Sequence, residues 1–298
     1  MTRRVWVGFA ALCVLAGSGW ALDEVIPGLL HGLVRVAVHD GLLAVVFGLV
    51  GLREKAKRDW SLWAKLALGA IAIFALPQIL FAAAGGHVAG TTELLIFLLV
   101  PAVVVFVVAQ QADGRGVSDN PLRPLAPALT GLGGAVLMLP FDWPHSGVGQ
   151  VWVVMIVLSA VLAGYAAVWL HGLLNGVELW SAAAVMFGAS SLSAGAFCWV
   201  DLGGTPVWVG NAAVLEVVRL FVVEGPILLL TVWLLRDMAP IRFSARALGV
   251  PLVMIVEGYL FEHPVVGWTT GLGFLLMAGG AWGLLRADSG KVLGGGGG

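Results

Sequence analysis

Eight ionisable side chains fall inside apolar stretches of this chain: Arg35, His39 and Asp40, then Glu93, then Glu216, Arg219 and Glu224, and last Glu257. In hydrocarbon such groups are costly, so they face one another or a water-filled cavity. His31, Arg35 and His39 are spaced i, i+4, i+8 and share one helical face. Glu216 and Arg219, at i and i+3, are neighbours on a second helix, and Glu224 returns to roughly the same side two turns later. Five carboxylates against two arginines leaves carboxylates without a guanidinium of their own. An unpaired carboxylate in a low dielectric leans toward its neutral form. It can take up and lose a proton as its surroundings open and close. Glu224 is the first choice for that role, because Gly225-Pro226 follows it and should kink the helix and free backbone carbonyls. Glu257 is the second: it also precedes a glycine, stands near Tyr259 and follows Pro251.

Each of these groups also admits a plainer reading. Glu216 and Arg219 can form a salt bridge that only orders their helix, and Arg35 can pair with Asp40 or cap carbonyls. Glu93 begins its apolar run and can simply be solvated. His39 can be a hydrogen-bonded interior histidine. Other chemistry lacks its residues. There is no G-x-x-x-x-G-K-[ST] phosphate loop, no HExxH, and no metal-ligand spacing among the histidines. Ser190 and Ser191 have no evident partner base. Neither an ATP motor nor an enzyme is expected, and no metal or cofactor beyond a proton as coupling ion.

The elements that position these residues must lie in a bilayer. The chain is 60% hydrophobic and 11% charged, with a mean hydropathy of +0.99, whereas soluble domains are about half apolar and about a quarter charged. A span needs about 20 mainly apolar residues. Ten stretches qualify: 5–22, 30–52, 61–84, 91–111, 125–141, 148–170, 179–200, 211–235, 243–261 and 267–286, the fifth being the shortest. Cys13 and Cys198 fall inside such stretches and read as small packing residues. With the N-terminus inside, fourteen of the sixteen Lys and Arg residues lie in inside loops or ends, Arg242 and Arg246 among them. Arg35 and Arg219 are the two in spans, and outside loops hold none. All thirteen tryptophans fall near a span end, as interfacial anchors do, and Trp20 and Trp152 can also reach a cavity mouth. Arg3-Arg4, the following apolar run and Gly19-Trp20-Ala21 also resemble a signal peptide. The segment is kept as a first span, because the sixth would otherwise lose its counterpart.

The chain repeats itself. Pro101 sits in LLVPAVVVFVV, followed by Thr130-Gly131-Leu132-Gly133; Pro251 sits in LGVPLVMIVEGYLF, followed by Thr270-Gly271-Leu272-Gly273. Residues 1–141 therefore read as one five-helix repeat and 142–288 as a second, with 289–298 a flexible Gly-rich tail. Five is odd, so the second repeat enters the membrane inverted, an arrangement of secondary transporters. Pro101, Pro226 and Pro251 are the expected helix breaks. Gly131, Gly133, Gly134, Gly271, Gly273, Gly279 and Gly280 are the expected close helix contacts.

This layout resembles the EamA-type members of the drug/metabolite transporter superfamily. The resemblance rests on the five-plus-five arrangement with a basic loop after span two. It rests also on Pro251, Glu262, Gly271, Gly273, Gly279 and Gly280 at the end of the second half, on Gly17-Ser18-Gly19-Trp20 in span one, and on Arg35 in span two. The first half lacks a Glu after its Pro-containing span, its loop to span five is longer, and Trp20 is displaced. The resemblance implies an all-α integral membrane protein that exports or exchanges small metabolites, often amino acids, by alternating access without ATP hydrolysis. The setting is a bacterial inner membrane, with both termini cytoplasmic, a small-molecule substrate and the bilayer as partners, no nucleic acid, and a monomer or homodimer as the unit. The competing readings are a multi-spanning membrane enzyme and a passive channel. Glu224, Glu257, Arg35, His39, Arg219, Glu216, Tyr259 and Trp20 are the substrate and coupling candidates.

Overall fold

The computed structural model describes residues 2–19, 32–54, 59–113, 122–202, 212–263 and 267–287. Helices dominate, and no strand occurs among the described residues. In chain order they are α1 (Arg3–Gly17), α2 (Gly32–Gly51), α3 (Trp60–Ala70, Ile71–Ala75 and Leu76–Ala84 in succession) and α4 (Gly90–Phe97 and Val100–Asp113). There follow α5 (Leu125–Met138), α6 (Gly147–Leu174), α7 (Leu179–Leu202) and α8 (Ala212–Arg219, Leu220–Glu224 and Gly225–Asp237). The last are α9 (Pro240–Ser244 and Arg246–Glu262) and α10 (Trp268–Arg286). Eight of them, α2 to α4 and α6 to α10, are long and apolar enough to cross a membrane. The chain is thus a multi-pass, all-α membrane protein. α1 and α5, with 15 and 14 residues, are shorter than a full span.

Short polar side chains fix where helices start. Asp59 Oδ1 accepts from the Ser61 and Leu62 amides at 3.0 and 3.4 Å and starts α3. Ser146 Oγ accepts from the Gly149 amide at 3.0 Å and starts α6. Glu54, just past α2, reaches across to α7, where its Oε2 accepts from the Ser181 amide at 3.0 Å and the Ser181 hydroxyl at 2.6 Å. These bonds satisfy amide groups that a helix leaves open at its N-terminus.

Two helix pairs run antiparallel at close range, and small residues permit it. Between α2 and α7 the contacts step through Ala37 and Gly195, Gly41 and Ser191, Ala44 and Gly188, Gly48 and Ala184, Gly51 and Ser181. Between α5 and α10, a Cβ on Gly134 would sit 2.5 Å from the Gly273 carbonyl oxygen, and one on Gly280 would sit 2.6 Å from Gly131. With no hydrophobic drive between helices in lipid, such close backbone approach is what holds them. Gly133, Gly271 and Gly279 have nothing within 4 Å. The expected glycine contacts are therefore made by Gly131, Gly134, Gly273 and Gly280 alone, since the other three face away from the seam.

A second resemblance within the chain appears only in three dimensions. Val14-Leu15-Ala16-Gly17 ends α1, and Val161-Leu162-Ala163-Gly164 lies in α6. A Cβ on Gly17 would meet the Val253 side chain at 2.7 Å and the Val250 carbonyl at 3.2 Å. One on Gly164 would meet Val103 at 2.7 Å and the Val100 carbonyl at 3.5 Å. Val250 and Val100 are the residues before Pro251 and Pro101. The same glycine is thus seated on the same Val-Pro-x-Val segment twice, α1 on α9 and α6 on α4. α3 and α8 match as well. Each carries a five-residue π turn, Ile71–Ala75 and Leu220–Glu224, with a proline two residues later, Pro77 and Pro226. A π turn takes in one extra residue and distorts the amide ladder where proline would break it.

The prolines act differently from one another. Pro101 begins the second piece of α4, after the interruption at Leu98–Leu99. Pro226 follows a π turn. Pro251 is no break: it lies inside Arg246–Glu262, and α9 is interrupted earlier, at Ala245. Helical φ suits proline, and the loss is one hydrogen bond to the Ala247 carbonyl.

Candidate functional site

The intrahelical charges gather where α2 meets α8. His39, 1% exposed, is held between two carboxylates. Its Nδ1 contacts Glu224 Oε2, and its Nε2 lies 3.1 Å from Glu216 Oε1. Glu224 Oε1 in turn lies 3.2 Å from Arg219 Nε and 3.6 Å from Arg35 Nε. Asp40, 4% exposed, faces Ser190 on α7. The helices explain the grouping. Arg35 and His39 are four apart and share the face turned to α8. The π turn that ends at Glu224 brings its carboxylate onto that face together with Glu216 and Arg219.

Two expectations change here. Glu224 does not stand unpaired: it is the common partner of His39, Arg219 and Arg35. The partner that a count of arginines against carboxylates leaves out is the His39 imidazole. Pairing with Asp40 is one plainer reading of Arg35, beside capping of carbonyls, but the two are five apart and so project to different sides. The contact that forms is with Glu224. Among the described residues, three carboxylates, Asp40, Glu216 and Glu224, stand with two guanidiniums and one imidazole.

Glu257 lies elsewhere. Ser18 at the end of α1 donates its hydroxyl to Glu257 Oε1, while Glu257 Oε2 is buried with no hydrogen-bond partner among the described residues. Tyr259 is 52% exposed. Two residues on means about 200° around a helix, so it points away from Glu257. Trp20 lies outside the described residues, as does His31. Glu93 is in the first turn of α4, where a carboxylate suits the positive end of the helix.

Between α1, α3 and α4 on one side and α6, α8 and α9 on the other lies a cavity of about 340 Å³. Leu12, Ile73, Phe81, Phe97, Ala163, Ile227, Phe243 and Met254 make it largely apolar. Gln78, Thr231, Ser244 and Arg246 are the polar side chains on its wall. Small-ligand sites run to about 300–1,000 Å³ with a few placed polar groups on apolar walls. Ile73 of the α3 π turn, Leu98 at the interruption of α4 and Ser244 just before that of α9 line it, so these irregular segments face this space. Glu224 and Glu257 are not among its lining residues; they stand one turn along α8 and α9 from Ile227 and Met254, which are.

Arg246 was missed as a site residue, because it was counted with the basic inside loops. It is the first residue of the long piece of α9, its Nη1 donates to Thr231 Oγ1 at 3.4 Å, and its guanidinium stacks 4.2 Å over the Phe243 ring. Its spacing of four from Arg242 and five from Pro251 was the available signal. Arg242 takes the loop role instead, donating to the Ala287 carbonyl at 2.9 Å at the end of α10.

No family model and no curated protein matches the chain. A solved structure described as "Crystal structure of protein" is similar to it with a TM-score of 0.69, at 18% identity, over 92% of this chain and 94% of that one. At that identity the likeness shows a shared fold, which extends over nearly the whole chain.

Proposed function

We propose that this protein is a secondary transporter of small metabolites, built as two inverted five-helix repeats that rock about the cavity between them. The observation that carries the reading is the twice-made contact: Gly17 on Val250 and Val253, Gly164 on Val100 and Val103. Matched π turns in α3 and α8 support it, and the cavity draws three helices from each half. Inverted repeats with irregular helices around a central site are the structural basis of alternating access. The resemblance to EamA-type transporters favours export of compounds such as amino acids across a bacterial inner membrane, with both termini cytoplasmic.

Proton coupling is part of the proposal. The α2–α8 group sets an imidazole between two carboxylates, an arrangement through which a proton can pass, and the Glu257 oxygen without a partner among the described residues offers a second place for one. Purified protein in liposomes should give saturable flux of labelled amino acids that rises with an imposed pH gradient. Glu257→Gln should keep flux down a substrate gradient while losing its response to pH. Ohmic, non-saturating current would point to a channel. Absence of flux for amino acids, sugars, nucleosides and cationic compounds from folded protein would end the transport reading.

A further inference from the structure

We infer that the central cavity takes a small monocarboxylate with an apolar body, and that Arg246 receives its carboxylate. The inference rests on the cavity being the transport site, and it adds the chemistry of what enters. Arg246 reaches the cavity wall with one hydrogen bond, to a threonine hydroxyl, and one aromatic face, and no carboxylate pairs with it among the described residues. The other arginines of the bundle interior, Arg35 and Arg219, have Glu224. A guanidinium inside an apolar bundle without a counter-charge is costly, and an anion entering the cavity relieves that cost.

The geometry of the head group follows from arginine. Its planar fork of donors fits a carboxylate through two parallel hydrogen bonds. Thr231 occupies one donor and Phe243 holds the plane, so the fork is oriented before the ligand arrives. One positive charge matches a monoanion, whereas a phosphate ester dianion would bring a second charge with no second cation on the described wall to meet it. Leu12, Ile73, Phe97 and Met254 then enclose the apolar body. A cavity of about 340 Å³, at the small end of the range for small-ligand sites, has room for a phenyl or branched alkyl group. On the same wall, Pro251 has no N–H to offer the Ala247 carbonyl, which can accept from an amino group where the ligand carries one.

The test is binding to the full-length protein in detergent, read by calorimetry. The ligands are 3-phenylpropionate, 4-methylpentanoate and L-phenylalanine, each compared with its amide, together with palmitate as the lipid-derived carboxylate. Wild type should bind at least one acid about tenfold or more tightly than its amide. Arg246→Gln should remove the preference, and Arg246→Lys should keep it in weaker form. Should Arg246→Gln fail to fold, the wild-type acid-to-amide ratio and Arg246→Lys carry the test. Equal binding of acids and amides, binding of neither, or tighter binding of palmitate than of the small acids would overturn the inference. Liposome flux separates it from the transport reading. Arg246-dependent binding without flux removes transport and leaves the site; flux without acid preference removes the site and leaves transport.

Discussion

His39 is where the burial and charge of the α2–α8 group concentrate. Its ring is 1% exposed and Glu216 is 3% exposed, so the two meet out of contact with bulk water. Orphaning one member of a buried charged pair typically costs about 3–5 kcal/mol, while removing both members together can be nearly neutral. His39→Ala should therefore lower the thermal midpoint of the purified protein, by about 3 kcal/mol in stability. His39→Ala combined with Glu216→Ala should recover more than half of that loss, read as tryptophan fluorescence on heating. Additive losses in the double variant would mean that the 3.1 Å contact contributes nothing. This part of the site was half visible in the sequence. The spacing of Arg35 and His39 gave their shared face, and Glu216, Arg219 and Glu224 gave theirs. That the two faces meet is a tertiary fact. Counting only arginines against carboxylates left out His39 as a partner of Glu224, and placing Arg246 by the positive-inside pattern hid a guanidinium that turns to the cavity.

At the scale of helices, the glycines decide which pairs can touch. A Cβ on Gly134 would lie 2.5 Å from the Gly273 carbonyl and 2.7 Å from the Met277 amide, and backbone atoms cannot move aside as a flexible side chain can. Gly134→Ala should push α5 from α10 and cost about 1–3 kcal/mol, the usual range for overpacking. Gly133→Ala, one residue away with nothing within 4 Å, should be neutral or gain up to about 1 kcal/mol from helix propensity. Detergent-solubilised protein followed by size exclusion after heating distinguishes them; equal losses would contradict the close seam. Hydropathy was enough to mark the helices, because crossing a bilayer constrains composition over some 20 residues. It could not mark the π turns at Ile71–Ala75 and Leu220–Glu224, which change hydrogen bonding and not polarity. Pro77 was the overlooked sign, standing in α3 as Pro226 stands in α8. Pro251 misled in the other direction, since a proline within a helix need not interrupt it.

For the molecule as a whole, the question is how a chain with eight full-length apolar helices among its described residues could hold the two five-helix halves proposed for it. The short helix α5 is the decisive one. Its first turn lies against the end of α10, with Pro127 beside Gly283, close to where Arg242 bonds Ala287. Beyond its last turn, the Asp142 carbonyl accepts from Thr92 Oγ1 at 2.9 Å, and Gly149 abuts the His87 carbonyl, both at the opposite end of α4 and α3. α5 thus carries the chain through the thickness of the bundle in 14 residues, about 21 Å of helix. The flanking segments add the remainder. If α5 crosses, the ends of α5 face different compartments and the second half enters inverted. If it does not, α6 starts on the side where α4 ended, and the basic residues Arg123 and Arg242 no longer share a compartment. Single cysteines at Leu122→Cys and His145→Cys, in a background with Cys13→Ala and Cys198→Ala, read the two ends, both of them exposed positions. In intact cells a membrane-impermeant maleimide should label His145→Cys and spare Leu122→Cys until the membrane is permeabilised. Labelling of both from one side would remove the inversion, and with it the rocking of two equivalent halves, while leaving the charged group at α2 and α8 and the cavity of Arg246 to be explained by a different motion.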